Sequence, residues 1–306
     1  MSAGGESTKV VVLALLANLG IAIAKLIGAM VSGSASMLAE AVHSLVDTAN
    51  QVLLLIGGKK ARKAPTDAHP LGYGREAFFW SFLVAILLFS MGGLFAIYEG
   101  VHKFSAPETR ESVGSPFLAL SILAISLVLE GLSFRACIQE VKRQNRHADL
   151  WTWFRRTTSS DLLVIFTEDA AAMAGLLIAT TSLLVSWLTG DSAWDAVGSI
   201  LIGLLLVLVA AFLAVEIKSL IIGEASSTDF RPFLESEVAH RFPEGRLLRL
   251  LALQIGPHEV LLSYKIDPGR TMDVPGLIIA INSLEKATRK AFPEVRWQFV
   301  EPDSHA

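Results

Sequence analysis

Six apolar stretches, separated by short polar segments, dominate the first three quarters of the chain. They lie near residues 10–31, 36–58, 77–101, 116–138, 162–188 and 194–222. A helical bilayer span needs roughly 20 mostly apolar residues, and each stretch meets that length. Backbone amides in hydrocarbon must find partners within the chain, so the six are expected to be helices. The short alternating segments of a transmembrane barrel are absent. After Ile222 the pattern changes. Phe230–Phe242 has helical spacing, Arg246–Ile255 and Glu259–Asp267 read as strands joined at Gly256-Pro257, Val274–Ala291 reads as a helix, and Val295–Glu301 as a last strand. This α-β-β-α-β order fits a small α+β layer. The expected organisation is a six-helix membrane domain over 1–222 and a cytoplasmic domain over 223–306.

Composition refines this picture. Of the 306 residues, 52% are hydrophobic and only 18% charged, with a mean hydropathy of +0.52. A net charge of −3 gives no reason to expect a nucleic-acid partner. The single Cys137 excludes an intrachain disulfide and a cysteine metal cluster. The N-terminal MSAGGESTK lacks the Arg-rich character of a transit peptide, so the first apolar run is expected to be retained.

Charge in the connections sets orientation. Lys59, Lys60, Arg62, Lys63 and Arg75 follow the second span, and Lys142, Arg143, Arg146, Arg155 and Arg156 follow the fourth. The opposite connections (SGSAS, the stretch around Glu108–Glu111 with Arg110, and TGDSA) are short or mixed in sign. Both termini are therefore expected in the cytoplasm, with a bacterial-type inner or plasma membrane as the setting. The basic segment 139–158, with Trp151 and Trp153, reads as a cytoplasmic loop, partly helical along the interface where Trp concentrates.

The second span carries the candidate chemistry. Ser36, Glu40, His43, Asp47 and Asn50 fall within one arc of about 80° on a helical wheel. Ionisable groups facing lipid are costly, so this stripe should face protein or water. His43 and Asp47 are four residues apart and meet on one face. An imidazole and a carboxylate on adjacent turns make half of a divalent-cation site. In the fifth span Asp169 sits mid-depth among Ala170–Ala172, Ala174 and Gly175, small residues that let helices approach closely. If the second and fifth spans pack together, Asp169 completes a site with His43 and Asp47. Such a cluster needs a cation or protons to relieve its repulsion, so metal and protons would compete for it. Blander roles are available to the neighbours. Lys25, which shares a face with Asn18, snorkels or pairs. Glu40 guides ions or is solvated. Glu99 and Glu130, near the expected span ends, anchor the interface or line a pathway.

These residues resemble those of the cation diffusion facilitator family. The likeness rests on GSASMLAEAVHSLVDTANQ, DAHPLGYGREAFFW, TEDAAAMAG and the terminal FPEVRWQFVEP, and covers most of the chain. LEGLSFRACIQE and TEDAAAMAG are similar to the branch holding the mitochondrial-type zinc transporter of animals. The resemblance implies a homodimer exchanging cytoplasmic zinc or related ions for protons, with a ferredoxin-like, metallochaperone-like cytoplasmic domain that dimerises. It implies metal ligands at His43, Asp47 and Asp169. The family's fourth ligand position is Ile165 here, which cannot bind metal. Glu168, displaced from Asp169 by about −100° where Ile165 lies near −40°, is the candidate replacement, with water as the alternative.

In the loop after the second span Asp67 and His69 match the family's loop site, but Tyr73 stands at its second His. Its cytoplasmic ligand positions hold Arg249, Lys265, Ile278 and Phe299, so that domain is expected to carry no metal. Imidazole with carboxylates suits Zn2+, Co2+, Ni2+ or Fe2+, and added oxygens shift the balance toward Mn2+. No tightly bound cofactor is expected. A second class, a non-transporting membrane scaffold, is motivated by Ile165. A membrane enzyme lacks support, because no His-Glu-x-x-His, Gly-x-Ser-x-Gly or phosphate-loop motif is present.

Overall fold

Helix α1 (Ala3–Ser32) and helix α2 (Ala35–Ala61) meet at a tight turn. Gly33 makes the turn with φ 65°, a conformation a side chain disfavours. Ser34 then caps α2, its hydroxyl accepting from the Met37 amide at 3.1 Å. Helix α3 runs Glu76–Ser105, α4 Phe117–Gln144, α5 Ser160–Thr189 and α6 Ala193–Ile222. These assignments come from a computed structural model describing residues 3–105, 116–144, 153–154, 157, 159–269 and 272–304. The connection around Glu108–Glu111, together with Arg146, Trp151, Arg155 and Arg156, lies outside the described residues.

Among the described residues four helices are long and apolar enough to cross a membrane: Glu76–Ser105, Phe117–Arg143, Ser160–Thr189 and Ala193–Ile222. The chain is thus a helical, membrane-type protein with a small C-terminal sheet. Asn18–Ser32 is a shorter apolar segment. Helix α2 falls short on hydropathy because it carries the polar stripe and ends in Lys59 and Lys60.

The chain forms two compact units. The first holds Met1–Ile56, Trp80–Phe154 and Asp161–Glu216, and the second Gly57–Phe79, Arg155–Ser160 and Ile217–Ala306. In the first unit, α3 is not the uniform helix its apolar run suggests. It widens into a π-turn over Leu88–Leu94 around Gly92 and Gly93. Here α6 comes close. A Cβ on Gly93 would lie 2.7 Å from Val207 and 3.1 Å from its backbone nitrogen, and one on Gly100 would lie 2.8 Å from the Ala196 carbonyl oxygen. The Ser199 hydroxyl also donates to the Ala96 carbonyl at 2.8 Å. Backbone cannot yield as a side chain tip can, so Gly100→Ala is expected to destabilise the protein by about 1–3 kcal/mol. Thermal unfolding of the purified variant measures this, and an unchanged midpoint would mean that the α3–α6 contact is looser than described.

At the start of α6, Asp195 is fully buried and satisfied. It accepts from the Ala35 amide at 2.6 Å, the Ser36 amide at 3.3 Å, the Ser34 hydroxyl at 2.6 Å and the Lys103 ammonium at 3.0 Å, and also from the Ser36 hydroxyl. A carboxylate on the first amides of α2 complements the helix dipole and ties α2, α3 and α6 together.

Trp153 is buried rather than interfacial. It packs with Cys137, Val141 and Leu162 and edge-on against Phe166 at 5.5 Å. The reason is local: α4 continues past the expected span end, and its last turns supply the apolar wall.

In the second unit, helix α7 (Arg231–Arg241), strands β1 (Arg246–Gly256) and β2 (Glu259–Asp267), helix α8 (Val274–Ala291) and strand β3 (Val295–Pro302) follow in order. The sheet order is β1-β2-β3. β1 and β2 are antiparallel, and β2 and β3 parallel with α8 as the crossover. Asp273 caps α8 by accepting from the Gly276 amide at 3.0 Å. Along β2, Val260, Leu262, Tyr264 and Ile266 all point into a core shared with Phe230, Leu234, Val238, Phe242 and Leu284, the period of two that a sheet covered on one face requires. In the same unit the Trp297 indole donates to the Leu71 carbonyl at 3.0 Å, holding the α2–α3 connection to β3.

Candidate functional site

The polar stripe of α2 is divided among several partners. Ser36 belongs to the Asp195 cap. Glu40 neither faces water nor lies free on an exit path: it is fully buried and paired with Lys25 of α1 at 3.1 Å. Lys25 also donates to Ser44 at 2.7 Å. Burial explains the pairing, since a lone charge there would be far costlier. Gly175 of α5 makes room, because a Cβ in its place would lie 2.3 Å from Glu40 Oε1.

One and two turns further along, His43 and Asp47 sit together, with Nδ1 of His43 3.4 Å from Oδ1 of Asp47. His43 is fully buried, and neither ring nitrogen has a hydrogen-bond partner. Asp47 Oδ1 is also buried without one. Buried polar atoms are nearly always paired, so these are open to a further partner such as water, a proton or an ion. Asn50, the last residue of the stripe, donates to Glu168 Oε1 at 2.5 Å and so bridges α2 to α5.

Beside them lies a cavity of about 30 Å³, close to one water molecule's share of liquid volume. Asp47, Glu168 and Asp169 line it, with Ile165 one turn before the last two on α5. The structure therefore brings three of the four candidate ligands to one small space. His43 stands next to Asp47 and is not part of the cavity wall. Among the described residues no three His, Cys, Asp or Glu side chains converge closely enough to hold an ion.

Five further lining residues were not among the candidate ligands: Asn18 on α1, Ser44 and Gln51 on α2, and Glu130 and Ser133 on α4. Ser133 donates to Asp169 at 3.3 Å. Gln51 had a visible signal, lying four residues after Asp47 on the same face. Glu130 is not near a helix end: α4 runs to Gln144, which leaves it at mid-length.

The other candidates lie in the second unit. Thr66 and His69 pair through their backbones, and the His69 ring packs on Tyr73 at 4.5 Å. On β2, Lys265 bonds Asp303 at 2.8 Å and Glu301 at 3.3 Å. The hydrogen bond to Asp303, followed by that to Glu301, holds its ammonium above the ordinary lysine range. A protonated amine has no lone pair to offer a metal. Arg249 opposite it is equally unsuited.

A sequence model of the cation efflux transmembrane domain matches residues 11–222. The chain belongs to the cation efflux family. Metal tolerance protein C4 of Arabidopsis thaliana is 37% identical over 201 residues, 63% of this chain and 42% of that protein. The mitochondrial proton-coupled zinc antiporter SLC30A9 of Xenopus laevis is 34% identical over 239 residues, 76% of this chain and 42% of that protein. The magnetosome protein MamB of Magnetospira is 30% identical over 170 residues, 54% of this chain and 56% of that protein. The chain spans less than half the length of the first two relatives. The matched residues 11–222 include α2, α4 and α5, which line the cavity.

Proposed function

We propose that this protein exports a divalent metal cation in exchange for protons, with Zn2+ as the principal cargo, through a site formed by His43, Asp47, Glu168 and Asp169. The observation that carries the reading is the small cavity between α2 and α5, lined by Asp47, Glu168 and Asp169, beside a buried His43 with no hydrogen-bond partner. The zinc and proton assignment draws on the relatives named for them. In this reading α1 to α6 are six spans over 1–222, both termini are cytoplasmic, and the membrane is a bacterial-type inner or plasma membrane. The asymmetric placing of Lys and Arg supports that orientation. Residues 223–306 form a ferredoxin-like cytoplasmic domain, and the transporter works as a homodimer.

Exchange follows from the donors. Carboxylates and an imidazole can hold either protons or a metal ion, and the same lone pairs serve both. With the site open to the cytoplasm, metal displaces protons. When the helices rock to expose it on the far side, protons displace the metal. A site of about one water's volume admits one ion at a time.

The test is flux in proteoliposomes holding the purified chain. Zn2+ uptake should rise when the vesicle interior is more acidic than the outside, and should carry protons outward, seen with a pH-sensitive dye. Folded protein that moves no divalent metal under either gradient would leave the scaffold reading in its place.

A further inference from the structure

We infer that Glu130 of α4 is a further ligand of the transport site, taking over the coordination lost at Ile165 and letting the site carry oxygen-preferring divalent cations such as Mn2+ beside Zn2+. The inference rests on the transport reading above and adds a residue and a selectivity to it.

The first support is the placing of Glu130 on its helix. Ala119, Leu123, Ser126, Cys137 and Val141 are the buried residues of α4 around it. At 100° per residue all five fall within about 40° of Glu130. Leu118, Ile125, Val128, Leu129 and Leu132 are exposed, and they fall about 100° or more away. Glu130 thus stands at the centre of the one inward seam of a helix that otherwise faces outward. An interfacial anchor would sit near a helix end, on the outer face. Glu130 has about 13 residues of helix on one side and 14 on the other, roughly 20 Å each way.

The second support is what lies in front of it. Glu130 lines the same cavity as Asp47, Glu168 and Asp169. It makes no hydrogen bond or ion pair with any described residue. Glu168 is less free, since its Oε1 already accepts from Asn50 at 2.5 Å. Four carboxylates line this one cavity, and a divalent cation drawing them together would offset their mutual repulsion. The cavity wall is oxygen-rich: carboxylates from α2, α4 and α5, amides from Asn18 and Gln51, and hydroxyls from Ser44 and Ser133. The single imidazole stands behind Asp47. Such a donor set suits Mn2+ better than a His-rich zinc site would.

The experiment compares wild type, Glu130→Gln, Glu130→Asp and Asp47→Ala as full-length chains in proteoliposomes, with Mn2+ and Zn2+ uptake measured singly and in competition. Glu130→Gln keeps the size and removes the charge. It should lower Mn2+ uptake about tenfold or more relative to Zn2+ uptake, the scale of effect when a metal site loses a close partner. Glu130→Asp should recover much of the Mn2+ uptake. In detergent, Mn2+ should protect the wild type against thermal unfolding and protect Glu130→Gln less, while the metal-free midpoints agree. An unchanged Mn2+ to Zn2+ ratio in Glu130→Gln, with wild-type uptake that depends on Asp47, would overturn the assignment of Glu130 and leave transport standing. Wild-type uptake of neither metal would overturn the transport reading itself, and Glu130's role with it.

Discussion

Asp47→Ala is expected to bring metal flux down to that of protein-free vesicles. Asp47 is the one candidate ligand that both lines the cavity and stands within 3.4 Å of His43. It joins the imidazole to the carboxylates of α5. Its Oδ1 is buried with no hydrogen-bond partner, so it plays no part in holding the fold that would explain its burial. Removing it leaves His43 without its neighbour and opens the cavity on the α2 side. Loss of an outer-shell partner costs roughly 10–100-fold in metal affinity or activity, and loss of a direct ligand should exceed that. Asp47→Asn should fail almost as badly, because the amide keeps the volume but carries no charge to hold a cation. Glu99→Gln, outside the cavity wall, should transport normally. Reconstituted Zn2+ uptake, with circular dichroism and size-exclusion to confirm folding, makes the measurement. Flux in Asp47→Ala equal to wild type would remove Asp47 from the site.

How far such residues can be found without coordinates depends on the range of the interaction. Apolar runs name the long helices because each run meets its solvent requirement locally. The period of two in Val260, Leu262, Tyr264 and Ile266, and the turn at Gly256-Pro257, likewise mark β1 and β2. The His43–Asp47 pair is visible because four residues make about one helical turn. Helix periodicity gives a face and says nothing about what the face meets. Ser36 and Glu40 share an arc with His43, yet one bonds Asp195, 159 residues away, and the other pairs with Lys25 on a different helix. Glu130 was obscured by one uncertain boundary: ending its helix near residue 138 puts it toward the end, and the observed end at Gln144 puts it in the middle. The π-turn of α3 had only Gly92-Gly93 to announce it, and it lies where the backbone of α6 comes close. Apart from that boundary of α4, what escaped the sequence was set by a partner on another element.

The Lys25–Glu40 pair yields the second large expectation. Both side chains are fully buried, and they stand 3.1 Å apart. Glu40 Oε1 has no hydrogen-bond partner of its own. Lys25→Met strands a carboxylate and Glu40→Leu strands an ammonium, so each single change is expected to cost about 3–5 kcal/mol. A solvent-exposed pair would give about 1 kcal/mol or less. The double variant Lys25→Met with Glu40→Leu replaces both charges by apolar groups of similar length, and such exchanges are often neutral or stabilising. Its thermal midpoint should therefore lie closer to wild type than that of either single variant. The four proteins form a double-mutant cycle. A large coupling energy from their unfolding in detergent would identify the pair as an internal fastening of α1 to α2. If both single variants melt like wild type, the charges are not held apart from water, and α1 is not fixed to the stripe by this contact. Because Glu40 lies one helical turn from His43, any loosening of α1 there should also lower metal uptake, and restoring the fastening with the apolar pair should return part of it.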